Sequence, residues 1–388
     1  MGATFTQPYG ADDYVYHPAA AFDYIKFANP DPQFPRALEE LVAELKPDIV
    51  HTHHFVRFGV EMFAAIRRGS PDTKIVLSLH EYLAICHHHG QMMKTRTLRL
   101  CEQESTSACA ACFPDLGARD FFLRKRYIQM FFEDVDLFVA PSHFLADRFR
   151  AWGLPAHKLA VLENMPPERP GLLAAQPVPE QAIPALPRMS GGARRSPKSA
   201  AVRLPSRRMR FGFFGQMSPL KGITVLMDAA RRLATMGVTN AVIEIYGDYS
   251  SQPMEFQDIV RKELDEAGEN VVYHGAYDNS DVNRLMGRMD AVLVPSTWWE
   301  NSPVVIQEAF TNGKPVICSS IGGMAEKVTH GVNGLHFEVS RPQSLADVLA
   351  GLANNPETLA ALTAGVRQPP TAYSMLDDHL RLYRSVLG

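Results

Sequence analysis

Residues 291–309 read AVLVPSTWWENSPVVIQEA, a short apolar run followed by a polar turn and the start of a helical pattern. The apolar run predicts a buried strand, and the helix is expected to begin at Pro303 with Ser302 as its N-cap. Glu300 then lies in the turn, and Glu308 lies in the second turn of the helix. The free N–H groups at such a helix start favour an anionic ligand. The stretch therefore indicates a strand–turn–helix unit with a carboxylate at each side of a candidate binding site.

The same alternation of strand and helix continues through residues 210–370. Helical periodicity predicts helices such as Ile223–Met236 and Pro303–Thr311, with short apolar, β-branched runs between them. The predicted strands are Arg210–Phe214, Ala241–Tyr246, Val271–His274, Ala291–Pro295, Pro315–Ser319 and Gly334–Phe337. Six strands with intervening helices indicate a doubly wound, Rossmann-like domain of the α/β class.

Residues 1–165 show the same pattern less completely. The predicted helices are Phe34–Leu45 and Phe58–Arg68, and the predicted strands are Asp48–His51, Lys74–Leu79, Leu137–Ala140 and Lys158–Glu163. Nothing before Phe34 reads as a strand, a glycine turn and a helix, so the first domain is expected to lack its opening units. A truncated gene, a wrong start codon and a real reduction would all give this pattern.

Two further segments complete the predicted organisation. Residues 166–209 are rich in Pro, Ala and Arg, with almost no aromatic or β-branched residues, which predicts a linker or a disordered insertion. Residues 371–388 contain a last predicted helix, Met375–Val386. The chain is therefore expected to hold two Rossmann-like domains, a linker between them and a closing helix.

The composition disfavours several classes of protein. The chain has 388 residues, of which 46% are hydrophobic and 21% charged, and its formal net charge is -3. This charge disfavours a general nucleic-acid binder, which normally carries a basic excess. No apolar run approaches the roughly 18–20 residues that span a bilayer, and the N-terminus lacks the features of a secretory signal. The expected location is the cytoplasm.

Ligands of open α/β sheets bind beyond the carboxyl ends of the strands, so the turns at that edge are candidate sites. Gly215 and Gln216, then Lys221 and Gly222, follow the first predicted strand of the second domain. A glycine turn with a lysine before a helix can cradle a pyrophosphate, although a structural turn with a solvated lysine is the alternative. Neither a Walker loop nor the dinucleotide Gly-x-Gly-x-x-Gly motif is present. The later pair Gly322-Gly323 should allow a ligand to approach the backbone closely.

These motifs together resemble family 4 of the retaining nucleotide-sugar glycosyltransferases, which have the two-Rossmann architecture called GT-B. The resemblance rests on Gly215…Lys221-Gly222, Glu300-x7-Glu308 and Gly322-Gly323…Glu326, and it runs from about Lys46 to the C-terminus apart from the linker. It implies that the C-terminal domain binds the donor, with Lys221 on the diphosphate, Glu308 on the ribose hydroxyls and Glu300 on the transferred sugar. The donor-binding residues it implies are Gly215, Gln216, Lys221, Gly222, Asn301, Ser302, Pro303, Val304 and Glu308, with backbone N–H groups offered from Asn301 to Val304. The closing helix resembles the family helix that returns to the first domain.

Histidines at the strand ends of the first half fit this resemblance. In the family, a histidine at the position of His80 faces the donor sugar near the bond that breaks, where an imidazole can exchange hydrogen bonds with a sugar hydroxyl. A structural strand-end histidine is the alternative, and at least two of His51, His53 and His54 are expected to be structural or to line the cleft. The catalytic residues that the resemblance implies are His80, Glu300 and Lys221. No Asp-x-Asp stands at a strand end, so no catalytic metal is expected.

The resemblance implies transfer of a sugar with retention from a nucleotide-sugar donor to a glycan or lipid-linked acceptor, in surface polysaccharide or glycoconjugate synthesis. A catalytically inactive binding or scaffold module is the first alternative, favoured by the missing opening strands and by Gln216, where the family often has a basic residue. A nucleotide-sugar epimerase of the same fold is the second. The segment Phe121–Phe132 mixes basic and apolar residues. It predicts either a helix packed on the first sheet or an interfacial helix at the inner face of the membrane.

Four of the five cysteines, Cys86, Cys101, Cys109 and Cys112, lie within one insert of the first domain, residues 86–112. The spacing Cys-x14-Cys-x7-Cys-x2-Cys suits a tetrahedral structural zinc ion in a reducing compartment. Free thiols, an iron–sulfur cluster and a disulfide are the alternatives, and one of the histidines after Cys86 could replace a thiolate. Cys318 is expected to be an inert core residue.

Overall fold

The computed structural model describes residues 4–18, 21–165 and 208–388. The predicted linker, residues 166–209, lies outside the described residues except for its last two positions. Two parallel sheets, one in each half of the chain, give two Rossmann-like domains. This confirms the predicted α/β class.

The first domain is built on a four-stranded parallel sheet that follows a short antiparallel pair. The pair is β1 (Phe5–Thr6) and β2 (Val15–Tyr16); the sheet has the order β3 (Ile49–Thr52), β4 (Lys74–Ser78), β5 (Leu137–Ala140) and β6 (Leu159–Val161). The four predicted strands are confirmed to within two residues at each end. Their sequential order brings all four carboxyl ends to one edge. The lack of opening units stays a prediction.

Within the described residues, the first domain has five α-helices, and the predicted helix Phe34–Leu45 is confirmed to within one residue at each end. They are α1 (Gln33–Leu45), α2 (Met62–Gly69), α3 (Thr106–Ala110), α4 (Ala118–Phe132) and α5 (His143–Trp152). The predicted start of α2 at Phe58 is wrong, because Gly59 has a φ of +85°, outside the helical region. In α4, Ile128 and Phe132 are buried in the core of the first domain, so this helix packs on the sheet as the first interpretation had it.

The second domain is built on a six-stranded parallel sheet. Its strands are β7 (Met209–Phe214), β8 (Ala241–Tyr246), β9 (Val271–Gly275), β10 (Ala291–Val294), β11 (Val316–Ser319) and β12 (Gly334–Phe337). The spatial order is β9-β8-β7-β10-β11-β12, which is the doubly wound order 3-2-1-4-5-6. All six predicted strands are confirmed to within one residue at each end. The strand order reverses between β7 and β10, where ligands of such sheets bind.

Helices cover the second sheet and bury both of its faces. They are α6 (Ile223–Thr235), α7 (Met254–Asp265), α8 (Val282–Gly287), α9 (Val304–Thr311), α10 (Gly322–Lys327), α11 (Pro342–Asn354) and α12 (Pro356–Gly365), before the C-terminal α13 (Ala372–Leu387). Along β10, Leu293 joins one apolar cluster and Val292 and Val294 join another, as expected for a strand with two buried faces. This packing fixes the strand ends that carry the candidate site. Among the described helices, none is long and apolar enough to cross a membrane.

Candidate functional site

The turns after β7 and β10 pack directly on each other at the point where the strand order reverses. Gly222 has a φ of +72° just before α6, and a Cβ there would lie 1.9 Å from the carbonyl oxygen of Pro295. Gly215 has a φ of +133°, and its N–H donates to the carbonyl oxygen of Tyr246 at 3.0 Å. Glycine is therefore required at Gly222 by both backbone conformation and space. The turn predicted as a pyrophosphate cradle is present, and it lies against the turn that carries Glu300.

Lys221 and Glu300 form an ion pair across these two turns. The Lys221 Nζ lies 2.6 Å from Oε1 of Glu300. The Ser296 hydroxyl and the Trp298 indole N–H donate to the same oxygen at 2.8 Å and 3.0 Å. Glu300 is 4% exposed, whereas 37% of the Lys221 side chain is exposed. The carboxylate is therefore buried and hydrogen-bonded, and the ammonium is the exposed partner.

The start of α9 differs from the prediction. Pro303 is the N-cap residue, with φ and ψ of -66° and 119°, and the helix begins at Val304. The Ser302 N–H donates to Oδ1 of Asn301 at 2.6 Å, and its hydroxyl donates to the carboxylate of Glu163 in the first domain. Pro303 has no N–H. The predicted N-cap at Ser302 is wrong, and neither Ser302 nor Pro303 supplies the expected backbone donor.

The remaining predicted donor residues lie around this pair. Glu308 is half-buried in the second turn of α9, as predicted. The Gln216 side-chain amide donates to the Ser251 hydroxyl at 2.8 Å, so it forms a hydrogen bond within the second domain. Val304 is partly exposed at the first helical position.

The glycine pair Gly322-Gly323 packs closely against the turn after β10. A Cβ on Gly323 would lie 1.9 Å from the carbonyl oxygen of Asn301, and the Gly323 N–H donates to the carbonyl of Glu300 at 2.7 Å. Gly322 has a φ of +60°, and a Cβ there would lie 2.9 Å from the Glu300 carbonyl oxygen. The close approach predicted for a ligand is made by the turn after β10.

Histidines gather at the carboxyl edge of the first sheet. His51 lies between the hydroxyl of Tyr383 in α13, at 2.6 Å, and that of Ser78, at 2.8 Å. The Nδ1 of His53 lies 3.0 Å from Nε2 of His80. Burial, followed by the neighbouring histidines, lowers the pKa of His51 and of His80 to about 4. Both imidazoles are therefore neutral at pH 7 and can exchange hydrogen bonds with hydroxyl groups.

A cavity of about 230 Å³ opens beside this cluster. Its lining residues are His53, Ser78, Leu79, His80, Val139, Pro141, Leu162, Glu163, Asn164, Met165 and His379. The side-chain amide of Asn301 donates to the carbonyl oxygen of His80. The turn after β10, which carries Glu300, therefore meets the histidine cluster through Asn301. Of the two predicted residues, His80 lines this cavity, whereas Glu300 is buried beside Lys221.

Two acidic residues hold the domains together in ways that the sequence did not reveal. The carboxylate of Glu326 accepts hydrogen bonds from the backbone N–H groups of His143 and Phe144, at 2.8 Å and 2.7 Å, and so caps the start of α5 from the other domain. Glu163 pairs with Lys327. No local signal identifies such partners, because each pair joins residues more than 160 positions apart.

Residues 86–112 are here called the cysteine loop. The four cysteines of this loop line one small cavity of about 20 Å³. Within the described residues, no group of three or more His, Cys, Asp or Glu side chains is arranged to hold a metal ion. Burial raises the pKa of Cys109 to about 11, so its thiol is protonated at pH 7. Just before the loop, the buried guanidinium of Arg124 in α4 donates to the carbonyls of Leu83 and Ala84. The structure thus collects the predicted ligands but gives the predicted zinc site no support; Cys318 is fully buried, as predicted.

In comparisons with known proteins, each half of the chain matches a glycosyltransferase family. Residues 4–165 match the family described as Glycosyltransferase Family 4, and residues 195–368 match Glycosyl transferases group 1. The lipopolysaccharide 1,2-N-acetylglucosaminetransferase of Salmonella typhimurium is 31% identical over 148 residues, 37% of this chain and 39% of that protein. A D-inositol 3-phosphate glycosyltransferase of Saccharomonospora viridis is 29% identical over 205 residues, 50% of this chain and 47% of that protein. The chain therefore spans less than half the length of these two relatives.

Solved structures match over a larger share of the chain. The crystal structure of HepE from Anabaena in complex with UDP aligns with a TM-score of 0.63 and 17% identity, covering 90% of this chain and 82% of that chain. At this identity the likeness concerns the fold alone, and it agrees with the two Rossmann-like domains described above.

Proposed function

We propose, from the premise that the chain is a family 4 glycosyltransferase of GT-B fold, that it transfers a hexosyl group from a nucleotide-sugar donor to a glycan or lipid-linked acceptor. The proposal includes retention of the anomeric configuration and catalysis that needs no metal ion. It also assigns donor binding to residues 210–370 and acceptor binding to residues 1–165.

The Lys221–Glu300 pair is the observation that carries this proposal. An ammonium has three N–H donors, so the bond to Glu300 leaves two for the oxygens of a diphosphate. Because Glu300 is the buried partner, the cation is held at the cleft rather than withdrawn from it. The ammonium and the start of α9 then supply positive potential for a leaving diphosphate.

The remaining roles follow from position. Glu308, in the second turn of α9, is proposed to accept hydrogen bonds from the ribose hydroxyls. Glu300 and the neutral imidazole of His80 are proposed to contact the transferred sugar from opposite sides of the cleft, where Asn301 joins the two domains. Neutral imidazoles suit hydroxyl groups, which both donate and accept hydrogen bonds.

Surface polysaccharide or glycoconjugate synthesis is the proposed context. The support is the similarity of the chain to the lipopolysaccharide N-acetylglucosaminetransferase of Salmonella typhimurium. Several structural neighbours are described as complexes with UDP or UDP-glucose, which makes UDP the first nucleotide to test.

The test is calorimetric titration of the full chain with UDP, GDP, ADP and dTDP. One nucleotide should bind, and Glu308→Ala should weaken it at least tenfold, because two charge-assisted hydrogen bonds are lost. The matched control is Glu357→Ala at an exposed position in α12, which should leave affinity unchanged. If the folded chain binds none of the four, the transferase proposal is wrong and an inactive module is the better description.

Product analysis separates the finer claims. With the matching nucleotide sugar, NMR should show an anomeric configuration unchanged from the donor, and activity should persist in excess EDTA. Release of an epimerised sugar without acceptor would instead identify an epimerase.

A further inference from the structure

Trp299 belongs to the turn after β10, yet its indole is buried in the core of the first domain. The residue is 9% exposed and lies within the apolar cluster built around the first sheet. Its indole N–H donates to the carbonyl oxygen of Cys101 at 2.9 Å. A buried indole N–H is stabilised by an acceptor, and that of Trp299 has one in the cysteine loop of the other domain.

Two residues of α5 complete the seat of this indole. The ring centroids of Phe144 and Trp299 are 5.1 Å apart. The guanidinium of Arg148 lies 4.7 Å from the Phe144 centroid and 4.8 Å from that of Trp299, within the range of a cation–π contact. The same guanidinium donates to the carbonyl of Glu102 in the cysteine loop. Arg148 therefore joins the loop to the helix on which the indole rests.

The two residues after Trp299 make the contacts that define the candidate site. Glu300 pairs with Lys221, and Asn301 donates to the backbone of His80. A turn this short cannot release Trp299 from its seat without moving the two residues that follow it.

We propose that Trp299 is a positioning residue: its contact with the cysteine loop and α5 sets the place of Glu300 and Asn301 when the two domains meet. The part concerning Glu300 rests on the proposed function, whereas the docking of the turn does not. The cysteine loop then acts on the donor turn through a backbone carbonyl and a cation–aromatic contact.

The first experiment measures hydrogen–deuterium exchange in residues 99–104 and 296–302 of the full chain. Trp299→Ala should raise the exchange rate at least tenfold in both segments, and Trp299→Phe, which keeps a ring but loses the N–H, should have a smaller effect. The matched control is Trp152→Phe. Its indole N–H is buried without a hydrogen-bond partner, so the change removes aromatic area from the same core but no contact with the turn.

The second experiment separates position from affinity. In Trp299→Phe, UDP affinity should stay within threefold of the wild type because Lys221 and Glu308 are unchanged. The turnover number should fall about tenfold, as expected for one lost hydrogen bond that positions a reacting group. Arg148→Met should act similarly, and the double variant should lose little more than either single one, because both act through one contact.

An unchanged exchange rate in residues 99–104 of Trp299→Ala would contradict the proposed contact between Trp299 and the cysteine loop. Additive losses of turnover in the double variant would show that Trp299 and Arg148 do not act through one contact. If the wild type binds no nucleotide, the proposed function is wrong, but the exchange experiment still decides the docking. Should Trp299→Ala not fold, Trp299→Phe and Arg148→Met carry the same test.

Discussion

Replacement of Gly323 by alanine should displace the turn that carries Glu300. The added Cβ would lie 1.9 Å from the carbonyl oxygen of Asn301, whereas real Cβ contacts are essentially never shorter than 3.0 Å. The turn must therefore retreat by about 1 Å, the difference between those two distances. That movement also stretches the 2.7 Å hydrogen bond from the Gly323 N–H to the Glu300 carbonyl. Overpacking together with a weakened hydrogen bond should lower the free energy of unfolding by about 2–4 kcal/mol.

Urea denaturation measures the stability of Gly323→Ala, and UDP titration measures the effect on the site. The matched control is Gly351→Ala in α11, where nothing lies within 4 Å of the added Cβ. Alanine is the better helix former there, so this variant should be stabilised by up to about 1 kcal/mol. Gly323→Ala with wild-type stability and wild-type nucleotide affinity would refute the reasoning, because the turn would then have room that the structure does not show.

Three further predictions concern the domain contact, the histidines and the thiols. Glu326→Gln should lower the free energy of unfolding by about 1 kcal/mol in urea denaturation, because the start of α5 loses its charged cap, and an effect below about 0.3 kcal/mol would contradict that role. Burial lowers the pKa of His51 from the ordinary histidine value of 6.5 to about 4 in the folded chain, so unfolded chains take up the proton first as pH falls. The contribution of His51 to stability should therefore be full above pH 6.5 and decline toward pH 4, with a shallower decline in His51→Gln; equal slopes would contradict this. Burial raises the pKa of Cys109 to about 11, and Cys318 is fully buried, so iodoacetamide at about pH 8 should alkylate both thiols more slowly in the native chain than in the urea-unfolded chain, as followed by mass spectrometry. Equal rates in the two states would contradict the burial of these thiols.

The sequence predicted the second sheet almost completely, because each of its strands is marked by neighbouring residues alone. Each strand of that sheet is a short apolar run with a turn at its end, and β8 and β12 have the predicted boundaries. The strand order also follows, because the doubly wound topology is the common solution for six such units. The error at α2 has a local cause as well, since the positive φ of Gly59 cannot be read from periodicity.

Contacts between the domains could not be predicted in this way. Trp299 read as part of a polar turn, but it packs with residues more than 150 positions earlier in the chain. Ser302 has an N-cap residue type, but its hydroxyl donates to Glu163 in the first domain, and the helix begins one residue later. Both differences arise because tertiary partners compete successfully with local capping and exposure preferences.

The site therefore divides into two parts that respond to different changes. The buried carboxylate of Glu300 takes its three hydrogen bonds from Lys221, Ser296 and Trp298, all in the second domain. Nucleotide affinity should accordingly depend on the second domain alone. The turn itself is fixed from outside, through Trp299 and Asn301, so the placement of a transferred sugar should depend on both domains. Glu308→Ala should then lower nucleotide affinity, whereas Trp299→Phe should lower the turnover number at nearly constant affinity. If Trp299→Phe instead lowered nucleotide affinity and Glu308→Ala did not, the nucleotide site would not be complete within the second domain.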